Sequence, residues 1–418
     1  MDFPIFRRVF KNPTFLSFII FLSVMGPGII TANVDNDAGG ITTYSLAGAQ
    51  FGYNLLWTFI PMIFALAVIQ EMGVRMGIVS GKGLADLIRE KVGIKFTFLI
   101  MIALLLANFG NVLAEFSGIA VSAGIFGVPR LVALPVAALF AWLLVVKGTY
   151  KSVEKVFLLA SSLYLSYIIA GVLAQPDWGL AAKSVITPQI NLNTDYITML
   201  IGMVGTTIAP WMMFYIQSSV VEKGISLKNL RYSKLDAIFG AIVVNIVAFF
   251  IVVACTATIY TNGIQVNNVA DVSDALIPLA GQYASILFAL GFLNASLFAA
   301  SILPLSTAYY ICESLGFEAG VSKGFKEAPV FHGLYLGLIL LAVIIILIPS
   351  IPLLTILYLS QVANGLLLPF VLILMLLIIN DKNVMGEYIN SKLFNSIAIA
   401  TVVIVMLLSI GLIITLFM

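Results

Sequence analysis

Three polar residues in a row, Asp35, Asn36 and Asp37, sit inside the glycine-rich stretch GPGIITANVDNDAGGITTYSLAGAQFGY, Gly26 to Tyr53, in the middle of the first long hydrophobic segment. A carboxylate at mid-bilayer costs about 2.5–3.5 kcal/mol even on lenient insertion scales. A cation or a proton offsets that cost, so these residues offer oxygen coordination of a positive charge. Other ionisable residues in apolar segments are few: Glu115 in the third, Glu313 at the end of the eighth and Glu71 near the inner end of the second. No Lys or Arg clearly occupies a span, so none of these acids has an evident fixed counter-ion, and a mobile cation is the expected partner. The single histidine, His332, falls at the inner start of the ninth segment and reads as an interfacial residue rather than a proton relay. Cys255 and Cys312 lie in or near apolar segments and form neither a disulfide framework nor a soft-metal site. No GxxxxGK[ST] signature occurs, so ATP hydrolysis within this chain is not expected.

The elements that must position these residues are membrane helices. Of 418 residues, 61% are hydrophobic and 10% charged, with a mean hydropathy of +1.11, against roughly 25% charged residues in a soluble domain. This composition excludes a soluble enzyme or nucleic-acid binder; the surroundings are a lipid bilayer, and no obligate protein partner is evident. Eleven hydrophobic helices are expected, at 14–49, 53–78, 97–125, 130–147, 153–174, 195–222, 236–261, 276–313, 331–348, 353–379 and 393–417. Placing the N-terminus in the cytoplasm puts Arg7, Arg8, Lys11, Lys82, Arg89, Lys91, Lys95, Lys147, Lys151, Lys155, Lys223, Lys228, Arg231, Lys234, Lys323, Lys326, Lys382 and Lys392 inside. Only Arg130 and Lys183 then fall outside. Short loops rich in Lys and Arg stay cytoplasmic, so this split orients the chain and places the C-terminus outside. The whole of 1–418 reads as one transmembrane domain: a cytoplasmic start at 1–13, a first repeat at 14–174, a second at 195–379 and an added helix at 393–417.

Two spans are interrupted, the first at VDNDAGG, Val34 to Gly40, and the sixth at GTTIAPWM, Gly205 to Met212. They are the first spans of two successive sets of five. Breaks of this kind free backbone carbonyls and helix ends in mid-membrane, which is tolerated only where they line protein or a water-filled cavity. A matched pair points to a transporter binding site between inverted repeats.

With these residues placed, the chain resembles the NRAMP family of divalent-metal transporters. The likeness runs through GPG at Gly26 to Gly28, AGAQFGY at Ala47 to Tyr53, GIVSGKGLADLIRE at Gly77 to Glu90, YLSQVANGLLLPF at Tyr358 to Phe370 and NDKNVMG at Asn380 to Gly386. The resemblance implies an all-α membrane protein with an inverted-repeat fold of the leucine-transporter type. Helices 1–5 and 6–10 would be the repeats, with helices 1 and 6 broken. It also implies an integral protein of a prokaryotic cytoplasmic membrane.

The departures from the family decide the expected cargo. The family's DPGN falls on Asp37, Ala38, Gly39 and Gly40, so its asparagine ligand is a glycine here; its MPHN falls on Ala209, Pro210, Trp211 and Met212, so its methionine is an alanine and its histidine a tryptophan. Thioethers suit the softer transition metals, whereas carboxylate, carbonyl and water suit Mg²⁺, Ca²⁺ and Mn²⁺. Mg²⁺ usually keeps several waters and needs one or two carboxylates. A cavity made larger by Gly40 and Ala209 suits that ion, and the pattern of replacements resembles the NRAMP-related magnesium transporter branch. The resemblance implies a cage of Asp37, carbonyls near Val34 and Thr206, and Gln361. Asn36 and Asp35 would hold the ion's waters or line its path, and Trp211, Gln217 and Glu115 would stand behind it. No bound cofactor is expected, since the metal is cargo.

Proton-coupled relatives carry an acidic pair in helix 3 and an arginine pair in helix 9. Here the helix 3 match is Val112 with Glu115, helix 9 has no arginine pair, and Trp211 replaces the titratable histidine. Weak or absent proton coupling is expected, with import driven by the membrane potential. The competing readings are a proton-coupled Mn²⁺ or Fe²⁺ transporter and a sodium-coupled amino-acid symporter of the same fold.

Overall fold

Each interruption is built as the end of one helix, a short link that closes on one extended residue, Asp37 or Ala209, and the start of another. The computed structural model describes residues 26–416 apart from 148–149 and 267–268, and every described element is helical. Residues 14–25 of the first expected span and the basic start at 1–13, with Arg7, Arg8 and Lys11, lie outside the described residues. Helix α1, Pro27–Val34, has Pro27 in its first turn, where a missing N–H costs nothing. Helix α2, Ala38–Phe51, starts on Asp37, whose backbone is extended and whose side chain caps the helix. Gly52 ends α2 at φ +58°, a conformation that favours glycine, and a 3₁₀ turn, Gly52–Thr58, leads into α3, Phe59–Ser80.

Beyond α3 come a short helix α4, Leu84–Val92, then α5, Ile94–Ile125, and α6, Arg130–Val146. The fifth expected span is two helices, α7 Tyr150–Ser162 and α8 Leu165–Leu173. An unanticipated helix α9, Trp178–Ile186, follows, capped by Asp177. The second interrupted span is α10, Thr194–Thr207, and α11, Pro210–Glu222, with extended Ala209 between them and Pro210 again opening the new helix. Then come α12, Leu230–Cys255, continued by a π turn at Thr256–Tyr260, and α13, Val269–Leu315. The chain closes with α14, Pro329–Ile346, α15, Leu353–Ile379, the short α16, Lys382–Met385, and α17, Lys392–Leu416.

Nine helical runs among the described residues are long and apolar enough to cross a membrane. One of these, Ala38–Ser80, contains the Gly52 turn. Arg130–Val146, the fourth expected span, has 17 residues and is the shorter apolar helix among them. Large apolar side chains such as Leu131, Leu159 and Leu407 face outward, as a lipid-exposed surface requires.

Three packing relations position the site. Helix α12 lies along α1, α2 and α3; α15 lies along α10, α5 and α2; and α13 lies along α5. Helices α10 and α15 meet through Gly205 and Gly365: a Cβ on Gly205 would lie 2.1 Å from the Gln361 carbonyl oxygen and 2.4 Å from the Gly365 nitrogen. Any larger residue would push Gln361 away from the breaks.

The expectation that no basic residue occupies a span is wrong for Arg75. It lies in α3, 5% exposed, and donates to Glu71 at 2.8 Å, to the Tyr388 carbonyl and to Asn390. Lys234 reaches the same Glu71 at 2.8 Å. Glu71 therefore has two fixed cationic partners, which is how a buried charge is made tolerable, and it drops out of the group of acids awaiting a mobile cation.

Candidate ion site between the two breaks

The first turn of α2 gathers most of the expected site. Asp37, 2% exposed, accepts from the Gly40 N–H at 2.6 Å through Oδ1. Glu115 of α5 is wholly buried, accepts from the Ala38 N–H at 3.2 Å through Oε2, and its carboxyl group lies against that of Asp37. Two carboxyl groups thus take N–H groups that a helix start leaves without intrahelical partners, at the end where the helix dipole favours negative charge. Carboxylates in contact and shut off from water need a cation or a proton between them.

The two breaks are tied directly. Thr206 Oγ1, in the last turn of α10, donates to the Asp35 carbonyl oxygen at 3.2 Å. Val34 ends α1, so its carbonyl has no further helical turn to accept from. Both side-chain oxygens of Asp35, 1% exposed, have no protein donor, and neither do Oδ1 of Asn36 and Oε1 of Glu115. Asn36 donates to the Val244 carbonyl of α12 at 3.1 Å. Buried acceptors without donors are rare because each forfeits its hydration, and a group of them beside Asp37 forms a place for positive charge. Nearby, Tyr44 and Thr207 share a hydrogen bond at 2.7 Å, and Thr207 also contacts Met62 Sδ at 3.4 Å.

Gln361 of α15 lies on the same turn: a Cβ added to Gly39 would sit 2.0 Å from Gln361 Nε2. Asp37, the Asp35 carbonyl, Thr206, Gln361 and Glu115 therefore converge on residues 38–40. Among the described residues no three His, Cys, Asp or Glu side chains come together as a chelate, so any ion held here relies on carbonyl, amide and water oxygens beside Asp37.

Gly40 corrects one expectation. It does not enlarge a cavity: a Cβ there would lie 2.4 Å from the Asp35 carbonyl oxygen, 2.6 Å from Thr206 Oγ1 and 3.3 Å from Asp37 Oδ1. Its missing side chain lets the two breaks touch. Ala209, 1% exposed, is the link residue that starts α11. Trp211, 2% exposed, packs towards Tyr215 and accepts through its carbonyl from Ser306. Gln217 is not brought to the breaks; its Nε2 donates to the Lys82 carbonyl at 2.9 Å, anchoring the turn after α3. Glu313 accepts from Ser218 and lines, with Lys82, Asp86, Glu222 and Tyr309, a separate cavity of about 480 Å³. His332 is buried, its Nε2 at 2.8 Å from the Lys323 carbonyl, away from the breaks.

Two groups escaped the sequence reading. Asp236 of α12 accepts from the N–H groups of Gly26, Gly28 and Ile29 at 3.3, 2.7 and 3.3 Å, capping α1 from another helix. Its signal was an acid at the very start of the seventh expected span. Asn108, Asn111 and Asn364 form an amide chain ending on Gln361. Their signal was three amides in apolar helices, which a search for charge passes over.

Known proteins share this architecture. A divalent metal cation transporter MntH of Yersinia enterocolitica is 28% identical over 400 residues, covering 92% of this chain and 93% of that protein. A manganese transporter of Eremococcus coleocola, solved as a crystal structure, superposes with a TM-score of 0.80 at 20% identity, over 96% of this chain and 87% of that one. A nucleobase-cation-symport-1 family transporter superposes more loosely, with a TM-score of 0.57 at 16% identity, over 94% of this chain and 91% of that one. The expected leucine-transporter-type arrangement with helices 1 and 6 broken is the fold found. The model of the Nramp family, natural resistance-associated macrophage protein-like, matches residues 28–415, and this chain belongs to that family.

Proposed function

We propose that the protein carries divalent metal cations across the membrane by alternating access, with hydrated Mg²⁺ as the preferred cargo and Mn²⁺ also carried. One observation carries the reading: a buried Asp37 between two broken helices, surrounded by oxygen acceptors of which several have no protein donor. Divalent ions of the Mg²⁺, Ca²⁺ and Mn²⁺ kind favour carboxylate, carbonyl and water, and Mg²⁺ tolerates a site that strips few of its waters. The preference for Mg²⁺ rests on donor chemistry: alanine stands at 209 and glycine at 40, and neither offers a side-chain ligand. The names of the MntH relatives support divalent metal as the class. The Lys and Arg distribution supports a cytoplasmic N-terminus. A potential of 100 mV is worth about 2.3 kcal/mol per charge, so import of a divalent ion could be driven by it unaided.

Reconstitution into liposomes loaded with a Mg²⁺-sensitive dye tests this. Uptake should follow an imposed inside-negative potential, and Asp37→Ala should lower it to the level of empty liposomes. Undiminished uptake in that variant would remove Asp37 from the site. A second reading, a proton-coupled Mn²⁺ transporter, is favoured by the contact of Glu115 with Asp37, since a carboxyl pair beside the ion can exchange a proton for it. Mn²⁺ uptake that ignores millimolar Mg²⁺ and acidifies the lumen would select it.

A further inference from the structure

Gln361 is the end of a hydrogen-bonded row of amides, and the direction of every bond in that row is fixed from its far end. Asn108 Nδ2 donates to the Leu303 carbonyl of α13 at 2.9 Å and to Thr307 Oγ1 at 2.6 Å. A backbone carbonyl can only accept, so the Asn108 amide has one orientation and its Oδ1 must accept. Asn111 Nδ2 donates to that Oδ1 at 3.1 Å and to Asn364 Oδ1 at 3.0 Å. Asn364 Nδ2 in turn donates to Asn111 Oδ1 at 3.1 Å and to Gln361 Oε1 at 3.0 Å. Both amide hydrogens of Asn111 and both of Asn364 are thereby used. All three asparagines are buried, at 3% exposure or less.

The consequence falls on Gln361. Its oxygen is held by Asn364, and its Nε2, which donates to Ser360 Oγ at 3.3 Å, is the atom that lies over Gly39 beside the first break. A donor at the first break suits a site without a cation and opposes one with it, because a metal ion or its waters needs the oxygen. We propose that Asn364, held in turn by Asn111 and Asn108, is a positioning residue that biases Gln361 towards the ion-free orientation. Ion binding must then turn the Gln361 amide against this row, and the row sets how tightly the site holds its cargo. This rests on the transport reading above, because Gln361 is a ligand only if the breaks hold a cation.

The test uses the full-length protein, titrated with Mn²⁺ and with Mg²⁺ by calorimetry in detergent and assayed for uptake in liposomes. Asn364→Leu removes the donor that holds Gln361 Oε1. It should tighten Kd about three- to tenfold, the net worth of one hydrogen bond, and lower KM by a similar factor with a smaller change in kcat. In a Gln361→Ala background the same substitution should leave Kd unchanged. A purely structural asparagine would lower the yield and kcat without tightening binding. Asn364→Thr, smaller and able to donate or accept, should tighten Kd to a lesser degree and serves if the leucine variant fails to fold. Unchanged or weaker Kd in these variants, or equal tightening without Gln361, overturns the proposal alone. Wild-type protein that binds neither ion overturns the transport reading and this proposal with it.

Discussion

A methyl group added at Gly40 would meet the Asp35 carbonyl oxygen and Thr206 Oγ1 before it met anything else. Gly40→Ala should therefore destabilise the protein by about 1–3 kcal/mol, the usual cost of forcing volume into a filled core, and should slow uptake by prising the breaks apart. Thermal unfolding in detergent beside liposome flux would measure both. Wild-type values for each would mean that the breaks separate freely. The same geometry bears on any attempt to restore a transition-metal site: Gly40→Asn with Ala209→Met must move the α1 end before its new side chains can reach an ion. Asp37 was legible in the sequence because a carboxylate in an apolar segment has few explanations. Gly40 was misread because a missing side chain looks like space, whereas space depends on how closely the neighbours approach. Asn36 was placed near the ion; its Nδ2 is spent on the Val244 carbonyl of α12, while its Oδ1 has no protein donor.

Among the elements, α1 is the one held least by its own sequence. It has eight residues and no side-chain cap of its own, and its first N–H groups are satisfied by Asp236 of α12. Removing a capping side chain costs about 0.5–2 kcal/mol, so Asp236→Ala should let α1 separate from α12 more often. A cysteine at Ile30, 2% exposed, with Cys255 and Cys312 replaced by alanine, should then be labelled faster by a membrane-impermeant thiol reagent. Equal labelling rates with and without Asp236 would show that other contacts hold the helix. Both breaks were readable because Asp, Gly and Pro mark them. The division of the fifth span between Ser162 and Leu165 was not, since SSLYLS carries neither Gly nor Pro there. Helix α9 was missed because its nine residues are too few and too mixed to resemble a span.

Across the whole molecule, charge is distributed in two ways that should respond differently to mutation. Arg75 sits in a buried group with Glu71, Lys234 and Asn390, tying α3 to α12 and to the segment before α17. Arg75→Met leaves Glu71 with less compensation and should cost about 3–5 kcal/mol. Lys82 and Glu90 pair with side chains 46% and 49% exposed, so Lys82→Met should change stability by about 1 kcal/mol or less. Melting temperatures of the two variants give the comparison, and similar losses would refute the distinction. The membrane class and the two broken helices were legible because hydropathy reports solvent, and nine helical runs among the described residues are long and apolar enough to cross a membrane. Arg75 was overlooked because counting charges in loops ignores a cation whose partner lies one turn away on its own helix. The ties on α1 carry one more consequence. It is pinned at its start by three bonds to a single carboxylate and at its end by Thr206 and Asn36, so it behaves as a bolt with two seats rather than as a spring. Its release should be a discrete event with one rate constant, rising steeply with temperature, and a trapped ion would then leave in a single step instead of leaking past a half-open door.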